Sequence, residues 1–207
     1  MVIVKVNKLE FIFSSMKEQI FIIEHLEPRV WKWCLFEYKH ISKIVGKNRL
    51  WFTNIKRKNK NLEKLGRVFN KSARSLGLDL KKVCVLDPEA QEILTPEDSR
   101  KFDYFVFGGI LGDYPPRKRT KKELTQFLPG VEAKNIGKKQ MATDNAVYVV
   151  NEICKGKKFE DLKFKNKFVL KINEIESTEL PYNYVIVNGK QLVSNDVINY
   201  LKRKKGF

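Results

Sequence analysis

Apolar positions along the chain follow two alternating spacings. Short, almost unbroken runs predict strands buried on both faces: Phe21-Ile22-Ile23, Leu50-Trp51-Phe52-Thr53, Val83-Cys84-Val85-Leu86 and Tyr104-Phe105-Val106-Phe107. Between them lie stripes at three- and four-residue intervals. Val30, Cys34, Tyr38, Ile41 and Val45 predict a helix that starts after Pro28 and stops at Gly46. Leu62, Leu65, Phe69, Ala73 and Leu76 predict a second, closed by Gly77. A polar helix is expected around Glu123 to Phe127. Ala146, Val147, Val150, Ile153 and Cys154 mark another, capped by Thr143 or Asp144 and ended by Gly156. This alternation predicts an α/β body over residues 18–156, a parallel sheet with helices on both faces.

From Lys157 the pattern changes. Phe168 to Ile172 and Tyr184 to Val187 read as strands, and Asn188-Gly189 after the second is a hairpin-turn signal. Residues 157–207 are therefore expected to form a small β-rich attachment that ends in a basic helix near Val197 to Lys205. Residues 1–17 read as an N-terminal extension whose apolar alternation would add an edge strand or stay loose, with Met16 as an alternative start.

Charge adds partners to this picture. Forty-one Lys and Arg against 24 Asp and Glu give a net charge of +17 over 207 residues. Much of the excess sits in three runs, at Lys56 to Lys60, Arg117 to Lys122 and Lys202 to Lys205. Such charge attracts phosphate polymers by releasing their counterions, and it equally suits an ordinary solvated surface. No apolar run approaches the roughly 20 residues of a membrane span. Lys5, Lys8 and Glu10 interrupt the opening apolar residues, unlike a secretory signal. Three scattered cysteines and two histidines form neither a zinc motif nor a disulfide framework. The expectation is a cytoplasmic protein with no metal and no membrane partner.

The outstanding loop is Gly108-Gly109-Ile110-Leu111-Gly112-Asp113-Tyr114-Pro115-Pro116. In a parallel sheet, ligands bind beyond the carboxyl ends of the strands, and glycines there let backbone groups approach a ligand closely. A tight turn that needs glycine only for its dihedral angles is the competing reading. The loop follows the fourth predicted strand, whereas dinucleotide folds place their glycines after the first and an acid after the second. Here those strands lead into Glu24-His25-Leu26-Glu27 and Asn54-Ile55-Lys56. The usual nucleotide folds fit poorly.

The run Phe102 to Asp113 followed by Pro115-Pro116-Arg117 closely resembles the SPOUT methyltransferase superfamily, in the branch that contains a yeast arginine methyltransferase of a small-subunit ribosomal protein. Ile22-Ile23-Glu24-His25, Leu86-Asp87-Pro88, Lys139 to Ala146 and Glu179-Leu180-Pro181-Tyr182 agree in the same order, so the resemblance covers roughly residues 18–190. Archaeal members of this branch are described as predicted RNA methyltransferases. The resemblance implies a sheet whose C-terminal portion forms a deep trefoil knot, an arrangement otherwise nearly absent from proteins. It implies S-adenosylmethionine as cofactor, and a monomer or a SPOUT-type homodimer. The cofactor pocket would comprise Leu86 and Asp87, then Phe107, Gly108, Gly109, Ile110, Leu111 and Gly112, then Ile136, Gly137, Gln140, Met141 and Thr143.

The chemistry asks for an aligned nucleophile and exclusion of water. An arginine acceptor also needs a carboxylate to orient its guanidinium. Glu24, Glu27, Asp113 and Asp144 are the candidates, with His25 as proton acceptor; Glu24, His25 and Asp113 are the catalytic assignment. Each also has a structural reading: a strand-end pair for Glu24 and His25, a turn bond for Asp113, a helix cap for Asp144. Tyr114 and Tyr182 would shape the mouth. The expected partner is a basic ribosomal protein or ribosomal assembly. RNA as the methyl acceptor is the alternative and would need basic residues at the pocket, with Arg117, Lys138 and Lys139 as candidates. A non-catalytic RNA-binding module is a third reading, but it leaves the glycine loop unexplained.

Overall fold

The computed structural model describes residues 18–204. Its body is a six-stranded, wholly parallel sheet built from β1 (Ile20–His25), β2 (Leu50–Thr53), β3 (Arg67–Val68), β4 (Val83–Leu86), β5 (Tyr104–Gly109) and β6 (Glu132–Lys134). The spatial order is β3-β2-β1-β5-β4-β6. The four predicted strands are all present. The glycine loop leaves the fifth strand rather than the fourth, because the two-residue β3 is too short to leave an apolar run.

Period-two alternation sorts the strand side chains onto two faces. Phe21, Ile23, Cys84, Phe105 and Phe107 meet two long helices, α1 (Lys32–Val45) and α5 (Thr143–Cys154), in the main core. Ile22, Val83, Val85 and Val106 face the other way, against Ala73, Leu124 and Leu128. That second face is covered by turns and by α4 (Arg119–Glu123) with the short helical turn after it, not by a long helix. The expected helix over Leu62 to Leu76 is replaced by α2 (Lys60–Glu63), strand β3 and a single turn at Ala73–Ser75. Leu62 packs in the main core and Ala73 in the opposite one, so one helix could not have buried the whole stripe. The cap of α5 also differs: Ala142 holds the N-cap position without a side-chain bond, and Thr143 and Asp144 lie inside the helix.

A small helix, α3 (Pro96–Ser99), precedes β5. Beyond α5, β7 (Phe164–Lys171), β8 (Ser177–Val187) and β9 (Lys190–Gln191) form an antiparallel sheet, followed by α6 (Asn195–Lys204). Asn188 and Gly189 join β8 to β9 with φ of 50° and 76°, as a two-residue hairpin requires. Leu170, Leu180, Tyr184, Val197 and Leu201 share a core with Trp33 and Phe36 of α1. Buried Asn145 in α5 fixes the join, accepting from the Val185 N–H at 3.0 Å and donating to the Leu192 carbonyl at 2.9 Å. The expectations for residues 1–17 lie outside the described residues.

Candidate functional site

Because β5, β4 and β6 are sheet neighbours, the loops that leave their carboxyl ends meet. They enclose a cavity of about 320 Å³, large enough for a nucleoside-sized ligand. Asp87, Phe107, Gly108, Ile110, Gly112, Asp113, Ile136, Gly137, Gln140, Met141 and Thr143 line it. All three predicted loops therefore contribute. Leu86, Gly109 and Leu111 are not among the lining residues.

The adjacent glycines differ in what they serve. A Cβ on Gly108 would meet only the tip of Ile110, at 2.9 Å, and Thr120 Oγ1 at 3.6 Å, both on the cavity wall. A Cβ on Gly109 would overlap the Tyr38 hydroxyl and lie 2.9 Å from Ile23 Cγ2 and 3.1 Å from the Glu24 carbonyl. Gly108 contributes bare backbone to the cavity wall, and Gly109 lets α1 and β1 pack closely on β5. Gly112 admits Tyr182, whose Cε1 and Oη lie 2.7 and 2.8 Å from its Cβ position and whose hydroxyl donates to the Gly112 carbonyl at 2.9 Å. Tyr182 thus ties the attachment to the loop. Gly137, at φ 93° and under the Phe159 ring, combines a left-handed backbone with a close approach.

The wall is apolar at Phe107, Ile110, Ile136, Met141 and Ala146, with backbone and a few fixed polar groups between them. Asp87 is buried and fixes its own turn, accepting from the Glu89 N–H at 2.9 Å and the Thr125 hydroxyl at 2.6 Å. Arg117, Lys118, Lys138 and Lys139 stand at the wall beside Glu89 and Asp113. An apolar slot with side-chain-free backbone on one side suits a flat heterocycle, and cations at its edge suit a carboxylate.

A model of the SFM1-like family, described as protein arginine N-methyltransferase SFM1-like, matches residues 20–206. Protein arginine N-methyltransferase SFM1 of Saccharomyces cerevisiae is 37% identical over 200 residues, covering 88% of this chain and 94% of that protein. The chain belongs to the SFM1-like family of protein arginine N-methyltransferases. A crystal structure of the yeast arginine methyltransferase SFM1 complexed with SAM superposes with a TM-score of 0.83 at 36% identity, covering 95% of this chain and 96% of that one. The dual-specific Trm10 from Thermococcus kodakaraensis, at 18% identity, shares the fold with a TM-score of 0.53 over 69% of this chain and 96% of that one. The SFM1-like fold is thus shared with that Trm10 protein.

Of the three residues assigned to catalysis in this SFM1-like chain, Asp113 lines the cavity, and Glu24 and His25 are not among its lining residues. Arg117 Nε lies 3.8 Å from the Asp113 carboxylate. Glu24 is buried and accepts from the Thr53 hydroxyl, from the Ser72 hydroxyl at 2.6 Å and from the Ala73 N–H at 2.9 Å. Its carboxylate therefore ties β1 to β2 and to the turn after β3. His25 Nδ1 pairs with the Tyr38 hydroxyl at 2.8 Å, and burial lowers its pKa. Asp144 pairs with His40 Nδ1 at 2.6 Å and accepts from the Asn145 N–H. Tyr114 is three-quarters exposed at the end of the glycine loop.

Two further groups shape the site. Glu27 accepts from the Leu111 N–H at 3.0 Å and from Arg119 Nη1 at 2.8 Å, while Arg119 makes a two-point pair with Glu123. This clamp holds the glycine loop to β1, and Glu123 holds the guanidinium that holds Glu27. Glu37 is buried in α1, accepts from Trp33 Nε1 at 2.7 Å, and interacts with Thr143 on the cavity wall. Burial first, and the Asp144 charge second, push its carboxyl up to about 8. The sequence carries its signal: position 37 falls on the buried stripe of Cys34, Tyr38 and Ile41, where a carboxylate is out of place.

Proposed function

We propose that the cavity holds S-adenosylmethionine and that the enzyme methylates an arginine side chain of a small-subunit ribosomal protein. The observation that carries this reading is the cavity enclosed by the loops at the carboxyl ends of β5, β4 and β6, with Gly108, Ile136 and Met141 in its wall. Ile110, Ile136 and Met141 would pack the adenine, and loop backbone groups would bond its edge. Arg117, at the wall, would attract the methionine carboxylate. When bound, the cofactor supplies an electrophilic methyl group on its sulfonium. The protein's part is to orient the acceptor, exclude water and take up charge. We assign the orienting role to Asp113, the partly exposed carboxylate at the wall, and a structural role to Glu24 and His25, which fix β1.

The same reading includes the knot. The chain that leaves β6 is bonded to the segment that leaves β4: the Lys134 carbonyl accepts from the Asp87 N–H at 2.9 Å, and Asn135 bonds through its own backbone to Glu92 and Leu94. This pairing of the segment after β4 with the exit of β6 supports threading of the segment that leads into α5. A 157–207 attachment that presents Tyr182 to the glycine loop completes the mouth.

Incubation with methyl-labelled S-adenosylmethionine and partly assembled small ribosomal subunits tests the proposal. Label in arginine of the protein fraction is expected. The cations at the wall favour the alternative of an RNA acceptor, and label confined to RNA would establish it and overturn the arginine reading.

A further inference from the structure

All six strands of the body run in one direction, so every loop that leaves a strand lies on the edge that carries the cavity. With strands about 4.8 Å apart, the loop after β2 lies two spacings, roughly 10 Å, from the end of β5 and four, roughly 19 Å, from the end of β6. Lys56, Arg57 and Lys58 leave β2, Lys121 and Lys122 follow the glycine loop, and Lys138 and Lys139 follow β6. All are exposed. The acids on this edge are largely spoken for: Glu27 and Glu123 hold Arg119, and Glu89 holds Lys118 at 2.7 Å. The opposite edge is mixed, with Asp79 beside Lys81 and Asp98 paired to Lys101 at 2.6 Å.

An edge of unneutralised cations this close to the cavity repels a free arginine-rich acceptor and attracts polyphosphate. We propose that the carboxyl-end rim, from the Lys56–Lys58 loop past the cavity to Lys138 and Lys139, docks the phosphodiester backbone of RNA. The acceptor is thereby presented as a protein already seated on its RNA. The proposal rests on the arginine methyltransferase reading for what enters the cavity, but the surface itself is defined by its affinity for RNA.

The test measures binding of the full chain to a mixed-sequence ribosomal RNA hairpin of about 30 nucleotides, by fluorescence anisotropy across a salt series. The triple variant Lys56→Glu, Arg57→Glu, Lys58→Glu lies away from the cavity and should leave cofactor affinity unchanged. It is expected to lose about tenfold or more in RNA affinity at about 0.1 M salt. Its salt slope should flatten by about 0.7–0.9 for each phosphate contact removed. The double variant Lys81→Glu, Lys82→Glu on the opposite edge should stay within about twofold of wild type. Absence of RNA binding by the wild type, equal affinity in the triple variant, or an equal loss in the opposite-edge variant would each overturn the rim. Methyl transfer, scored separately on the protein fraction of the assembled particle, fails or succeeds independently: RNA binding without labelled arginine would sink the acceptor reading and leave the rim standing.

Discussion

Neighbouring glycines at the end of β5 should fail in opposite ways when each gains one methyl group. In Gly109→Ala the new Cβ overlaps the Tyr38 hydroxyl, which is fully buried and tied to His25, and it presses on Ile23 and on the Glu24 carbonyl. Backbone and a bonded ring cannot yield cheaply, so overpacking should cost about 1–3 kcal/mol. For a chain of this size that corresponds to a Tm lower by about 2–12 °C. In Gly108→Ala the nearest atoms are the mobile tip of Ile110 and Thr120 Oγ1, and neither glycine has a left-handed φ. Tm should therefore move by less than about 2 °C. The methyl instead takes space at the cavity wall, and cofactor affinity should fall about tenfold, a loss of about 1.4 kcal/mol. Differential scanning calorimetry and calorimetric titration with S-adenosylmethionine separate the two effects. A Gly108→Ala protein that binds as wild type does, or a Gly109→Ala protein as stable as wild type, would refute the reasoning.

Other perturbations test the surrounding supports. Glu37 binds its proton more tightly in the folded chain than unfolded, so the penalty for ionising it is absent below about pH 4.5 and grows up to about pH 8. Stability measured by urea unfolding should fall by a few kcal/mol over that window, on the order of 1.4 kcal/mol for each pH unit crossed. Glu37→Gln should flatten the profile, and parallel profiles would show that Glu37 does not carry the charge. Arg119→Met cuts the link between Glu123 and Glu27 and should weaken cofactor binding several-fold with Tm little changed, read by the same titration. Lys134 is buried among Glu92 at 2.5 Å, Glu132 at 2.9 Å and Asp98 at 3.3 Å. Lys134→Met takes away the cation shared by three carboxylates, leaving Asp98 with Lys101 alone, and should destabilise by about 3 kcal/mol; adding Asp98→Asn should recover part of the loss in chemical denaturation.

What could be read in advance follows from the range of the forces involved. Strands β1, β2, β4 and β5 and helices α1 and α5 were legible because burial on both faces, or along one stripe, writes a local period. The Leu62 to Leu76 stripe misled because its members serve opposite faces of the sheet, and only the pairing of Arg67 and Val68 with Trp51 and Phe52 reveals this. The glycine loop and its companions located the cavity. The structural role of Glu24 was hidden because its partners Thr53, Ser72 and Ala73 lie 29, 48 and 49 residues away, beyond any local pattern. Gly108 and Gly109 are likewise indistinguishable in the sequence, because successive strand residues face opposite sides and only the neighbouring strand decides which side is the cavity.

Photo-crosslinking of labelled S-adenosylmethionine, followed by peptide mapping, addresses the central claim most directly. Label should fall in the segments from Phe107 to Lys118 and from Asn135 to Thr143, and excess unlabelled cofactor should abolish it. Label elsewhere in the chain, or none that competes, would contradict the placement of the methyl donor between these loops.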